Sequence, residues 1–310
     1  MHTFGKILKI ILIVVLVLAA ILVLGLWLLS RIPSAPRDYP SSVKTGGVLE
    51  KQYLALGPDS IRFFEEKAED PYKKFSVYYP QTLEESEKTF PAVLVLNGTG
   101  ILPEKYDTFF KHMASWGFVV IGDDNPSTGT GNSASAQFEE LEKLNSDPQS
   151  VLYQKINLDD IGLIGHSQGG AGVLTAATNS PYKDHFKAIV ALSPTHIKFA
   201  HQLGWMYEMD QIQAPTLMLA GTEGEFETES VIPISSMKKM YENLSVPKAM
   251  ARRIGADHGH MLYSADGVAT AWLLRHLQGN EEAAKEFNGE APELKNNPLY
   301  QDVAIDLDKN

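Results

Sequence analysis

The hydrophobic positions of this 310-residue chain fall into two textures. One is a single uninterrupted block, IILIVVLVLAAILVLGLWLL over 10–29, without a charged residue. At about 1.5 Å per residue, a helix of that length crosses the ~30 Å hydrocarbon layer of a bilayer. The block exceeds the roughly 7 to 15 apolar residues of a cleaved signal peptide. It also runs into WLLSRIPSAP rather than a small-x-small site, so an uncleaved transmembrane anchor is predicted. Lys6, Lys9 and the terminal amine precede it and Arg31 and Arg37 follow it, a slight positive-inside bias that puts the N-terminus in the cytoplasm and the remainder outside.

The second texture is a set of short blocks. AVLVLNG (92–98), FVVIGDD (118–124), IGLIGHS (161–167), AIVALSP (188–194) and TLMLAGT (216–222) are continuous apolar runs of strand length, the pattern of strands buried on both faces. Between them lie segments with helical spacing of apolar positions, such as EKYDTFFKHMASWG, SASAQFEELEKLNS and ESVIPISSMKKMYENL. This alternation predicts an α/β fold with a mainly parallel central sheet and helices on both faces. Earlier, VLEKQYLAL and KKFSVYYP carry alternating, β-branched or aromatic positions closed by Gly-Pro or Pro, and both are predicted as antiparallel edge strands. The organisation expected is a cytoplasmic stub and anchor at 1–30, a flexible Pro-, Ser- and Gly-rich linker at 31–47, and one domain at 48–310. Its last helix is GVATAWLLRHLQG, followed by an acidic tail expected to pack loosely on the surface.

Composition narrows the chemistry. A net charge of −11 without clustered Lys and Arg excludes a nucleic-acid partner. The absence of cysteine excludes disulfides, thiolate metal sites and cysteine nucleophiles. Serine chemistry remains. Gly165, Ser167 and Gly169 spell G-x-S-x-G between an apolar strand and a small-residue helix, which is the context of a nucleophile elbow. The glycines leave room for a sharp turn that lifts the serine oxygen above the sheet edge, and the Gln168 N–H lies at the helix start where it can meet an oxyanion.

A serine hydroxyl needs a base within hydrogen-bond reach. Among nine histidines, His258 in ARRIGADHGHMLYSADG follows the last strand and is the candidate. His166 is expected to point away from the reaction, and His196 to border the pocket. The third group is an acid on the loop after TLMLAGT, which offers Glu223, Glu225, Glu227 and Glu229 and no aspartate. A second oxyanion donor is expected from the turn VLVLNGTGI, through the Thr99 N–H or, as the lesser candidate, that of Gly98. The segment KFAHQLGWMYEMDQ is expected to form a short helix whose Trp205, Met206 and Tyr207 either line an apolar pocket or pack as core.

Together these elements resemble the α/β-hydrolase superfamily. Over about 75–280 they resemble its dienelactone-hydrolase-like branch, which contains bacterial cutinases, polyester hydrolases and chlorophyllase-like enzymes: GFVVIGDDNPSTGTG, GHSQGG, ALSP and GVATAWLLRHLQG all match it. The resemblance implies an α/β-hydrolase fold with Ser167 as nucleophile and His258 as base. It places the acid four residues past Gly221, at Glu225, with Glu223 as the alternative, where the branch usually has aspartate. It puts the oxyanion contacts on the backbone of Thr99 and Gln168 and requires no cofactor or metal. Polyester-hydrolysing members carry aromatic residues where this chain has Thr99 and Thr195, so polyester activity is not expected. The function anticipated is a membrane-anchored, outward-facing serine carboxylesterase for a small or medium ester, held to the lipid bilayer through residues 10–29. The alternatives are an acyltransferase of the same fold or a binding scaffold with a broken triad.

Overall fold

The continuous apolar runs form the middle of a nine-stranded sheet in the computed structural model, which describes residues 33–308. The strands are β1 (Ile61–Lys67), β2 (Lys74–Pro80), β3 (Phe90–Leu96), β4 (Val119–Asp123), β5 (Ile156–His166), β6 (Phe186–Leu192), β7 (Thr216–Gly221), β8 (Lys248–Arg253) and β9 (Tyr300–Asp306), in the order β1-β2-β4-β3-β5-β6-β7-β8-β9. β3 to β8 run parallel; β9 closes one edge antiparallel to β8, and KKFSVYYP (β2), expected at an edge, instead lies one strand in, paired antiparallel with β4 on one side and with the true edge strand β1 on the other. One core lies on each face. Phe138, Leu141, Leu174 and Met237 from helices Asn132–Ser146, Gln168–Asn179 and Ile234–Asn243 fill the first. Phe109, Phe110, Met113, Trp272 and Leu273 from helices Asp107–Ser115 and Asp266–Gln278 fill the second. Both faces of the parallel strands are thus covered, which is why their sequences are apolar without alternation.

Three further expectations from the pattern are corrected. VLEKQYLAL is not an edge strand: Val48–Leu54 is a helix, because Leu49 and Tyr53, four residues apart, share its buried face. The Glu293 carboxylate accepts from the Val48 and Glu50 N–H groups at 2.9 and 2.8 Å, satisfying donors that the helix start leaves open. The first strand is instead Ile61–Lys67. The acidic tail is not loose either. Phe287 and Leu294 are buried, and Tyr300–Asp306 pairs with β8 as the closing edge strand, its Val303 and Ile305 packed on the core.

The stretch expected as a flexible linker is held to the domain from its first described residues. Ala35 and Tyr39 are fully buried, and the Tyr39 hydroxyl donates to Asp266. His112 faces the same carboxylate through Nδ1 at 2.8 Å and the Ala55 carbonyl through Nε2 at 3.0 Å. Burial opposes a charge on this ring, but Asp266 and the backbone carbonyl bonds outweigh it and raise the His112 pKa. The predicted anchor at 10–29 lies outside the described residues; among those described, no helix is long and apolar enough to cross a membrane.

Glu286 is fully buried. Burial first, then the charges of Glu293 and Glu50, push its carboxyl up to about 8. A carboxyl with a raised folded-state pKa keeps its proton in the folded chain while the unfolded chain loses it. Stability therefore falls as pH rises from the unfolded value near 4.5 to about 8, at up to ~1.4 kcal/mol per pH unit. Glu286→Gln should match the parent in Tm near pH 4.5 and exceed it by a margin that grows to several degrees at pH 8 and then levels off. Thermal unfolding across pH checks this, and parallel Tm curves would contradict it.

Candidate active site

The ends of the parallel strands deliver the site. β5 finishes at His166 and the chain enters the helix Gln168–Asn179 through Ser167, whose φ of 60° and ψ of −118° lie in a region that non-glycine residues seldom occupy. Such backbone costs on the order of 1–3 kcal/mol and persists only where its surroundings impose it. Here a Cβ on Gly165 would stand 2.2 Å from the Gly169 carbonyl oxygen, and one on Gly169 would stand 1.9 Å from that of Leu96. Only glycines permit so close a crossing of β3, β5 and the helix.

Ser167 Oγ lies 2.8 Å from His258 Nε2, and His258 Nδ1 lies 2.6 Å from Glu227 Oε2. The carboxylate can only accept, so Nδ1 carries the proton and Nε2 is left bare to accept from the serine hydroxyl. Glu227 Oε1 accepts from Ser193 Oγ at 2.6 Å and from the Gly221 N–H at 2.7 Å. Burial alone would raise the Glu227 pKa. Hydrogen bonds from His258, Ser193 and Gly221 outweigh it and hold the carboxyl below its usual range.

The carboxylate that meets His258 is therefore Glu227, whereas the positions expected for it, Glu225 and Glu223, are exposed to solvent. The reason is local. Gly224 takes a left-handed φ of 81°, and Phe226–Val231 forms a wide π-type turn that brings Glu227 back under the sheet edge, where its carboxylate reaches Gly221. Counting four residues from Gly221 assumes a shorter turn. Ser193, the second donor to Glu227, belongs to no catalytic motif singled out in the sequence; its position at the end of the ALSP run is the signal that marks it.

His166 does not point away from the site. It lines the cleft, and its Nε2 donates to the His258 carbonyl at 2.7 Å with the two rings 4.8 Å apart. Burial, then the neighbouring imidazole, lower its pKa to about 4, so it is neutral and serves as a fixed donor. His166→Phe keeps an aromatic ring but removes that donor. It should lower kcat for a soluble ester about tenfold with KM little changed, since the His258 backbone then loses one anchor. A KM rise at constant kcat would contradict that role.

The cleft above Ser167 has a volume of about 610 Å³, and Thr99, Tyr106, Phe226, His258 and Tyr263 are among its walls. Phe226 stands edge-on to the His258 ring at 4.9 Å. The Gly98 N–H is engaged by Tyr106 Oη at 3.0 Å, which leaves Thr99 as the available donor of that turn. Gln168 begins its helix, whose first N–H groups have no acceptor within the helix. Trp205, Met206 and Tyr207 do not line this cleft. Trp205 packs over Gly129 and Tyr207 is core, while Met206 is exposed beyond the short helix Ile197–Gln202. His196, expected at the border, is also not among the lining residues.

A mainly parallel sheet with a strained serine at a strand-to-helix turn, facing a histidine and a carboxylate, defines the α/β-hydrolase class. The family model described as PETase, PET hydrolase-like, matches residues 54–302, and the chain belongs to that family. It is 28% identical over 232 residues to cutinase est2 of Thermobifida alba, covering 71% of this chain and 70% of that protein. It is 26% identical over 211 residues to cutinase cut1 of Thermobifida fusca, covering 65% of this chain and 59% of the other. It is 28% identical over 210 residues to a bis(hydroxyethyl) terephthalate hydrolase of Streptomyces coelicolor, covering 65% and 61%.

Proposed function

We propose that this protein is a serine carboxylic-ester hydrolase, anchored in a membrane through residues 10–29 with its domain outside. The observation that carries the reading is the unbroken hydrogen-bond chain from Glu227 through His258 to Ser167 at the floor of an open cleft. In this mechanism Ser167 Oγ attacks the ester carbonyl while His258 Nε2 takes its proton. The oxyanion is held by the Thr99 and Gln168 N–H groups. The C–O bond to the alcohol breaks as His258 returns the proton to the leaving oxygen. Water, deprotonated by His258, then cleaves the acyl-serine and frees the acid. Glu227 fixes the imidazole tautomer and stabilises its charged form throughout. An intact chain of donors and acceptors favours an enzyme over a binding scaffold.

The substrate is a small or medium ester. The relatives named as cutinases and as a terephthalate-diester hydrolase support ester chemistry. Thr99 is exposed at the oxyanion turn and Thr195 is buried, so neither position offers an aromatic surface to clamp a flat polymer. A panel of p-nitrophenyl esters of rising chain length tests the reading: turnover highest for short and medium acyl groups is expected, and no turnover of any ester would overturn it.

A further inference from the structure

The segment that follows the apolar run is a wall of the cleft. Ser34 lines it together with Thr99, Ser167 and His258. The Ser34 N–H donates to the Lys105 carbonyl at 3.0 Å, Ala35 and Tyr39 are fully buried, and Tyr39 is tied to Asp266, so this wall cannot swing away from the domain. In sequence, the apolar run ends at Leu29, five residues before Ser34. Five residues reach at most roughly 18 Å even when fully extended. The polar headgroup zone of a bilayer takes up about 6 Å of that distance. The pinned stem and the short reach therefore hold the mouth of the cleft at the membrane surface. The rim suits such a surface: Phe226 is 59% exposed, and Ile101 and Tyr263 are partly exposed. The domain's net negative charge gives no attraction to anionic headgroups, so the short stem does the positioning.

We infer that the cleft opens onto the bilayer surface and that its substrate is an ester whose medium-length acyl chain is dissolved in the adjoining leaflet. This rests on the anchored-esterase reading above and adds where the ester comes from. A short tether keeps the site at a high local concentration of membrane-borne ester, and distance removes that advantage.

The test uses the full chain in phosphatidylcholine vesicles, compared with a form carrying four EAAAK repeats between Arg31 and Ile32. That semi-rigid spacer adds about 30 Å and leaves the stem from Pro33 onward unchanged. Each form is assayed on p-nitrophenyl acetate in solution and on 4-methylumbelliferyl decanoate dissolved in the vesicles. The expected result is a loss of tenfold or more on the decanoate with the acetate rate held within twofold. Equal decanoate rates for the two forms, or a parallel fall on both esters, would overturn the inference while leaving the esterase reading intact. A native chain that hydrolyses neither ester, or fails to float with the vesicles, would overturn the anchored-esterase reading and this inference with it.

Discussion

Replacing Glu227 by glutamine is expected to lower kcat for a short p-nitrophenyl ester by about 10⁴-fold while the protein stays folded. The amide oxygen can keep the two bonds from Ser193 Oγ and the Gly221 N–H, so the loop retains its anchor. The amide nitrogen then faces His258 Nδ1 as a donor. The imidazole must accept there and move its proton to Nε2, where it confronts Ser167 and cannot take the hydroxyl proton. A wrong tautomer of this kind costs a Ser-His-acid triad about 10⁴ in kcat. Glu225→Gln and Glu223→Gln, both at exposed positions, should stay within about twofold of the parent. Steady-state kinetics on the three variants, with thermal unfolding as a check on folding, separates the assignments. A large loss at Glu225 with Glu227 unaffected would contradict Glu227 as the acid.

Ser167→Ala is expected to remove more, roughly 10⁴- to 10⁶-fold in kcat, because no acyl-enzyme can form. KM should change little, since the cleft walls and the oxyanion donors remain. Residues that act as a unit do not contribute additively, so Ser167→Ala combined with Glu227→Gln should be no slower than Ser167→Ala alone. A double variant slower by a further 10⁴-fold would mean that the carboxylate works on the reaction by a route other than His258. The alanine would also relieve none of the backbone strain at 167, which comes from the crossing of Gly165, Gly169 and Leu96 rather than from the hydroxyl.

Much of this arrangement could be read from residues alone, for identifiable reasons. Strands covered on both faces must be apolar throughout, so β3 to β7 stood out as blocks, and the glycines around Ser167 are required by contacts under 2.5 Å that no side chain survives. That His258 would meet Ser167 was legible because it follows the last parallel strand. Which carboxylate meets its ring was not, since four glutamates at every second position are equivalent until the turn at Phe226–Val231 buries one of them. The helix Val48–Leu54 was hidden because seven residues hold too few turns to separate a period of 3.6 from one of 2, and its cap, Glu293, comes from the far end of the chain. The packed stem depends on one aromatic residue, Tyr39, finding Asp266 more than two hundred positions away, which composition cannot reveal. The closing strand Tyr300–Asp306 carried a readable signal, alternating Val303 and Ile305, masked by its acidic neighbours.

If His258 makes Ser167 nucleophilic, a fluorophosphonate probe on the full chain, followed by peptide mass spectrometry, should give a single phosphonyl adduct on the peptide containing Ser167, absent in Ser167→Ala and slowed at least a hundredfold in His258→Ala. An adduct on another residue, or labelling of Ser167 that proceeds equally fast without His258, would contradict it.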